Sequence, residues 1–241
     1  MSRLTTTRPK PPTWLLASRL MRVQSQAMLR RVAHSWGLRR MAHLEESDLA
    51  IPDSALARKA VELVAETSPG FLLNHGLRAY AFGAALGRRD GLKFDRELLF
   101  LAAAMHDLGL VEQFDTADQP FELQGAKVAR DFLRGQGVDN ERADLVHEAI
   151  ALHASIGVAS RGAPEVQLCH YGTGVDVAGL RLYDFEKRDV QRIIEAWPRL
   201  GFKQGFVPLL KDQVARKPHC NIAGLVGFGF TDMIEAAPFR E

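Results

Sequence analysis

Two cysteines, Cys169 and Cys220, in 241 residues are too few for a disulfide framework or a repeated Cys-x-x-Cys metal pattern. Iron–sulfur clusters and cysteine-rich zinc knuckles are thereby set aside, and a reducing compartment such as the cytoplasm is the default. Long apolar runs are missing as well. The longest, Leu98 to Met105, has eight residues, against the roughly 20 that a membrane-spanning helix requires. No alternating strand pattern, internal repeat or Ser/Pro-rich linker divides the chain. Gly172-Thr173-Gly174 follows no strand and lacks the third glycine of a dinucleotide fingerprint. No Ser or Cys stands in a nucleophile elbow, which argues against Ser-His-Asp chemistry. Gly227-Phe228-Gly229-Phe230 reads as close packing or a turn.

Acidic residues are absent from residues 1–44, which carry nine Lys or Arg: Arg3, Arg8, Lys10, Arg19, Arg22, Arg30, Arg31, Arg39 and Arg40. The overall net charge of +2 therefore leaves 22 basic against 29 acidic residues beyond that stretch, a net −7. A mildly acidic body gives no reason to expect nucleic-acid binding. Within the basic stretch Leu16, Leu20, Val23 and Ala27 recur at helical spacing, so residues 1–45 read as a basic arm or amphipathic helix. Three readings stay open: a helix packed on the domain or a poorly ordered arm, an organelle transit peptide, or a membrane-surface helix.

What remains is ordinary globular material, 46% apolar and 25% charged. Apolar residues recur with helical period over about 53–67, 71–89, 95–107, 121–135, 139–153, 164–180, 187–197 and 203–216. Asp53, Ser54 and Asp139 suit helix N-caps, Pro164 a first turn, and Pro69-Gly70, Gly91 and Pro198 the breaks. The spacing predicts one all-α domain over 46–241, with the apolar helix 95–107 at its centre.

Several polar side chains fall on faces that should be buried. His75 lies in the stripe Leu72, His75, Ala79, Phe82, Leu86, and His106-Asp107 ends the central helix. His153 shares a face with Val146, Ala149 and Ile150. Asp176 lies in the row Val166, Cys169, Thr173, Leu180, while His147 points outward. Buried carboxylates are costly without partners, and imidazole with carboxylate is the ligand mix for zinc, manganese, iron or nickel. A metal site on His75, His106, Asp107 and Asp176 accounts for all four; satisfied core residues are the alternative.

The pattern His75 … His106-Asp107 … Asp176 on an all-helical chain resembles the HD superfamily of metal-dependent hydrolases. Leu73-Asn74-His75-Gly76-Leu77-Arg78, Phe121-Glu122 leading to Gly125, Glu148-Ala149-Ile150 ending at His153, Asp176-Val177-Ala178-Gly179, Pro198-Arg199 and Lys217-Pro218-His219 are most similar to its cyanamide hydratase branch. The likeness spans about residues 55–235 and departs from the branch over Leu108–Gln119. It implies an HD-type helical bundle with one divalent ion, zinc being expected and manganese, iron, cobalt or nickel the alternatives. The ion's ligands would be His75, His106, Asp107 and Asp176, with His153 and Glu122 close by.

The expected chemistry is activation of water by the metal, with Asp107, His153 and Glu122 as catalytic groups. Asn74, Arg78 and Lys127 are the candidates for holding a small-molecule substrate. Nitrile hydration, phosphate-ester hydrolysis and a non-catalytic metal-binding module are the three functions to separate. Organelle targeting through the arm is the alternative to the cytoplasm, and a homo-oligomer is left open.

Overall fold

The computed structural model describes residues 12–37 and 40–241. Arg3, Arg8, Lys10 and Arg39 of the basic arm, and the side chains of Ala27 and Arg31, lie outside the described residues. Eleven α-helices are present among them: α1 Thr13–Ser35, α2 Ala55–Thr67, α3 Gly70–Arg89, α4 Arg96–Met105, α5 Phe121–Gly135, α6 Asn140–Leu152, α7 Pro164–Ala178, α8 Lys187–Ala196, α9 Phe202–Arg216, α10 Asn221–Gly227 and α11 Phe230–Glu235. No strand occurs among the described residues beyond a single parallel bridge, Ala42 with Phe185. The all-α expectation holds.

The helix starts follow their caps. Ser54 accepts from the amide of Ala57, Asp95 from those of Glu97 and Leu98, and Asp139 from that of Arg142, each satisfying a backbone donor that the first turn leaves without a partner. Pro164 opens α7, and Gly179, at φ +67°, closes it in the left-handed conformation, two residues before the expected end at 180. The amphipathic stretch near the N-terminus forms α1, anchored by Leu16, which is 3% exposed.

α4 is buried from Leu98 through Met105, as its composition demands, but α3 is equally central, with every residue from His75 to Gly87 buried. α7 packs across α3 at very short range. A Cβ on Gly172 would lie 2.0 Å from the carbonyl oxygen of Ala79, so only glycine admits this crossing. The main core is gathered around α3, α4, α6 and α7. A second apolar cluster joins Leu16 of α1 to Phe121, Val177, Phe202, Phe206, Leu210, Ile222 and Leu225. α9, α10 and α11 thus cap one end of the bundle, and the polar groups singled out above lie beneath that cap.

Candidate metal centre

Two helices, α3 and α4, bring His75, His106 and Asp107 together. His75 is in the second turn of α3; His106 and Asp107 terminate α4, where the chain turns into a short 3-10 segment, Leu108–Leu110. That turn is pressed against α5: a Cβ on Gly109 would stand 2.0 Å from the carbonyl oxygen of Phe121. All three side chains are buried, at 0%, 1% and 5% exposure.

The hydrogen bonds settle which ring nitrogens face one another. His75 Nδ1 donates to Asp176 Oδ2 at 2.7 Å, and His106 Nδ1 donates to the carbonyl of Ala103 at 2.7 Å. Carboxylates and carbonyls only accept, so both Nε2 atoms present lone pairs. These two Nε2 atoms are 3.1 Å apart, and Asp107 Oδ2 is 3.2 Å from one and 3.7 Å from the other. Neither oxygen of Asp107 has a hydrogen-bond partner. Three acceptors so close repel one another unless a cation lies between them. Bonds of 2.0–2.2 Å to a tetrahedral or octahedral ion place ligand atoms about 3.0–3.5 Å apart, close to the spacing found, with the His75–Asp107 separation slightly longer. The residues fit a divalent metal.

Asp176 does not join them. It meets His75 at the opposite edge of the ring, and its carboxylate is taken up by Arg78 Nε (2.7 Å), Arg78 Nη2 (2.9 Å) and Arg199 Nη1 (3.1 Å). The expectation of a fourth ligand at this position is corrected on that ground: the group orients His75 and fixes its tautomer, as the outer partners of ligating histidines do. Burial pushes the Asp176 carboxyl up, but Arg78 and His75 outweigh it and hold the group far below its ordinary range.

The three groups expected to bind substrate are also placed elsewhere. Arg78 is fully buried on Asp176, Asn74 donates to the carbonyl of Pro198 at 2.7 Å, and Lys127 is exposed, paired with Asp131 at 2.9 Å along α5. Lys127 follows Glu122 on the same helix but points outward.

His153 stands beside the triad, its ring centroid 4.8 Å from that of His106. Its Nδ1 donates to the carbonyl of Ile150 at 2.6 Å, which leaves Nε2 as an acceptor. Burial and the neighbouring His106 push its pKa down to about 3, so the ring is neutral. Burial lowers His75 too, against the pull of Asp176, whereas at His106 the charge of Asp107 overcomes burial and raises the pKa. Asp107, despite burial, is drawn to about 2 by the surrounding histidines, His106 foremost. Glu122, in the first turn of α5, is 3% exposed with neither oxygen partnered. Burial, then the charge of Asp107, raises it to about 7.

A cavity of about 60 Å³ opens onto His75, His106, Asp107 and His153. Its other walls are largely apolar: Phe121, Val177, Leu180, Phe206, Leu210, Ile222, Leu225 and Phe230. Spacing analysis missed those from α9 to α11, and missed Arg199 as the second cation on Asp176. Arg199 lies in a connection, where no periodicity marks it.

The HD domain model matches residues 72–195, just over half of the chain. The chain belongs to the HD-domain family. Its superfamily is one of metal-dependent hydrolases, and the His-His-Asp convergence within the matched region is consistent with divalent-metal binding. Two curated proteins of Saccharomyces cerevisiae, cyanamide hydratase DDI2 and cyanamide hydratase DDI3, are each 26% identical to it over 171 residues, covering 69% of this chain and 76% of theirs.

Proposed function

We propose that this HD-family protein is a metal-dependent hydratase that adds water to a small, neutral, nitrile-like molecule, with cyanamide the first to test and urea its product. The observation that carries this reading is three converging acceptors at the end of a largely apolar cavity with no cationic side chain in its lining. At about 60 Å³ the space holds roughly four or five water-sized groups. The similarity to the two yeast cyanamide hydratases points the same way.

The ion, zinc being the expected one, would be held by His75 Nε2, His106 Nε2 and Asp107 Oδ2. Bound there, it supplies Lewis acidity toward water and toward a polarised substrate atom. The chain's own part is proton management and exclusion of bulk water. Hydration moves one proton from the attacking water to the nitrile nitrogen, giving the isourea, and a second from its new hydroxyl to the same nitrogen, giving urea. His153 Nε2, an unprotonated acceptor on the cavity wall, would relay these protons as a weak base, its basicity lowered by burial and by His106, and Asp107 Oδ1 would be a second acceptor. Asp176, clamped by Arg78 and Arg199, keeps His75 Nε2 turned toward the site.

Phosphate-ester hydrolysis is disfavoured by the walls. No Lys or Arg lines this cavity, and a phosphate calls for cations at hydrogen-bonding distance. A purely structural metal is disfavoured by the open space beside the ligands, since structural zinc sites are closed.

The test is urea release from cyanamide by metal-replete protein. Asp107→Ala should lose the metal and at least ~10³-fold in rate; His153→Ala should keep the metal and lose ~10²-fold. Metal-loaded protein that leaves cyanamide and small nitriles untouched while cleaving a phosphomonoester would overturn the reading.

A further inference from the structure

Next to the metal cavity lies a larger one, about 240 Å³, between α1 and the body. The two share a wall, because Ile156, His170, Gly174 and Leu180 line both. Their linings are otherwise opposite in character. Five arginines face the larger cavity: Arg19, Arg22 and Arg30 from α1, Arg161 from the 3-10 turn before α7, and Arg181 just beyond α7. No Asp or Glu is among the residues that line it.

Part of this array is fixed from behind. Arg181 bonds Asp184 Oδ2 at 3.0 Å and Asp90 Oδ2 at 2.9 Å, and its guanidinium lies 4.5 Å from the centre of the Tyr171 ring. Arg30 reaches the same Asp184 oxygen at 3.5 Å. Asp184 is buried and not a wall of the cavity. Arg22 and Arg161 are exposed at the rim. Arg181 already pairs with Asp184 and Asp90, and Arg30 with Asp184, so the room for an anion rests on Arg22 and Arg161 at the rim, where a phosphate gains charge-assisted hydrogen bonds. Planar guanidinium forks match phosphate oxygens in pairs, and the hydroxyl of Ser160 adds a donor.

We propose that this cavity binds the phosphate group of a small molecule, at a site distinct from the metal centre. Three of the arginines belong to α1 and two to the body, so the bound anion bridges them and holds α1 down. The shared chemistry is a phosphate; its carrier is a soluble metabolite or the headgroup of an anionic lipid, and the experiment distinguishes the two.

The full chain is titrated calorimetrically with inorganic pyrophosphate, and in parallel sedimented with phosphatidylcholine vesicles with and without phosphatidic acid. The double variant Arg22→Gln/Arg161→Gln alters only rim side chains, and Arg58→Gln, on exposed α2, controls for net charge; circular dichroism verifies both folds. Pyrophosphate binding that weakens at least about tenfold in the double variant and not in Arg58→Gln supports a soluble ligand. Binding should also slow tryptic cleavage within α1. Vesicle binding that requires phosphatidic acid and falls in the same variant supports the headgroup. Absence of both interactions, or a double variant that binds as the parent does, overturns the proposal.

Discussion

Glu122 shows at the scale of one side chain what burial without a partner does. Its pKa of about 7, set by burial and then by Asp107, lies above the ordinary 4.5. The folded protein therefore holds a proton that the unfolded chain has released, and stability falls as pH rises from about 4.5 to 7. Above that range both states are ionised and a penalty of about 3 kcal/mol persists. Glu122→Gln removes the charge but buries an amide, which returns part of the gain. In metal-stripped protein the variant should be about 1–2 kcal/mol more stable than the parent at pH 8 and no more stable at pH 5. Denaturant melts at the two pH values check this; equal shifts at both would refute it. The same scale marks the limit of helical phase. Phase identifies His75, His106, Asp107, His153 and Asp176 as inward, and all five are buried. It does not say which edge of the His75 ring Asp176 meets, because that is decided by Arg78 and by Arg199 from a distant connection.

Among the helices, those that could be read from the chain are the ones with at least ten residues. α2 to α9 lie close to their expected bounds because their apolar period is long enough to read, and Ser54, Asp139 and Pro164 mark three of the starts. α10 and α11, with seven and six residues, are shorter than two helical turns and show no period to detect. Close crossings are equally hidden, since a glycine inside a helix carries no sign of what passes over it. The α3–α7 crossing is the consequential one, because His75 and Asp176 face each other across it. Gly172→Ala should cost about 3 kcal/mol, the upper end of ordinary overpacking, and lower the melting temperature by about 6–12 °C. The backbones can only separate, so the His75–Asp176 bond should lengthen and metal affinity should fall with stability. Unchanged metal content in a variant that melts that much earlier would show that the pair is not held by the crossing.

Across the whole molecule, the converging acceptors lie in one stretch of chain, whereas the walls of their cavity are drawn from two. His75, His106 and Asp107 lie within the region 72–195 that matches the family, while Phe206, Leu210, Ile222, Leu225 and Phe230 wall the cavity from α9–α11 beyond it. Motif spacing therefore reached the converging His75, His106 and Asp107 and could not reach the cap. Selectivity should accordingly respond to substitutions that leave the metal untouched. Phe230 is a suitable probe because it is only partly buried at the start of α11, so shortening it opens the cavity without emptying the core. Phe230→Ala should raise kcat/KM for a phenyl-substituted nitrile relative to cyanamide by about tenfold, the scale of one or two methylene-sized changes in a pocket. Metal content should stay as in the parent. A ratio that does not move, measured on variant and parent with equal metal loading, would mean that the cap does not gauge substrate size.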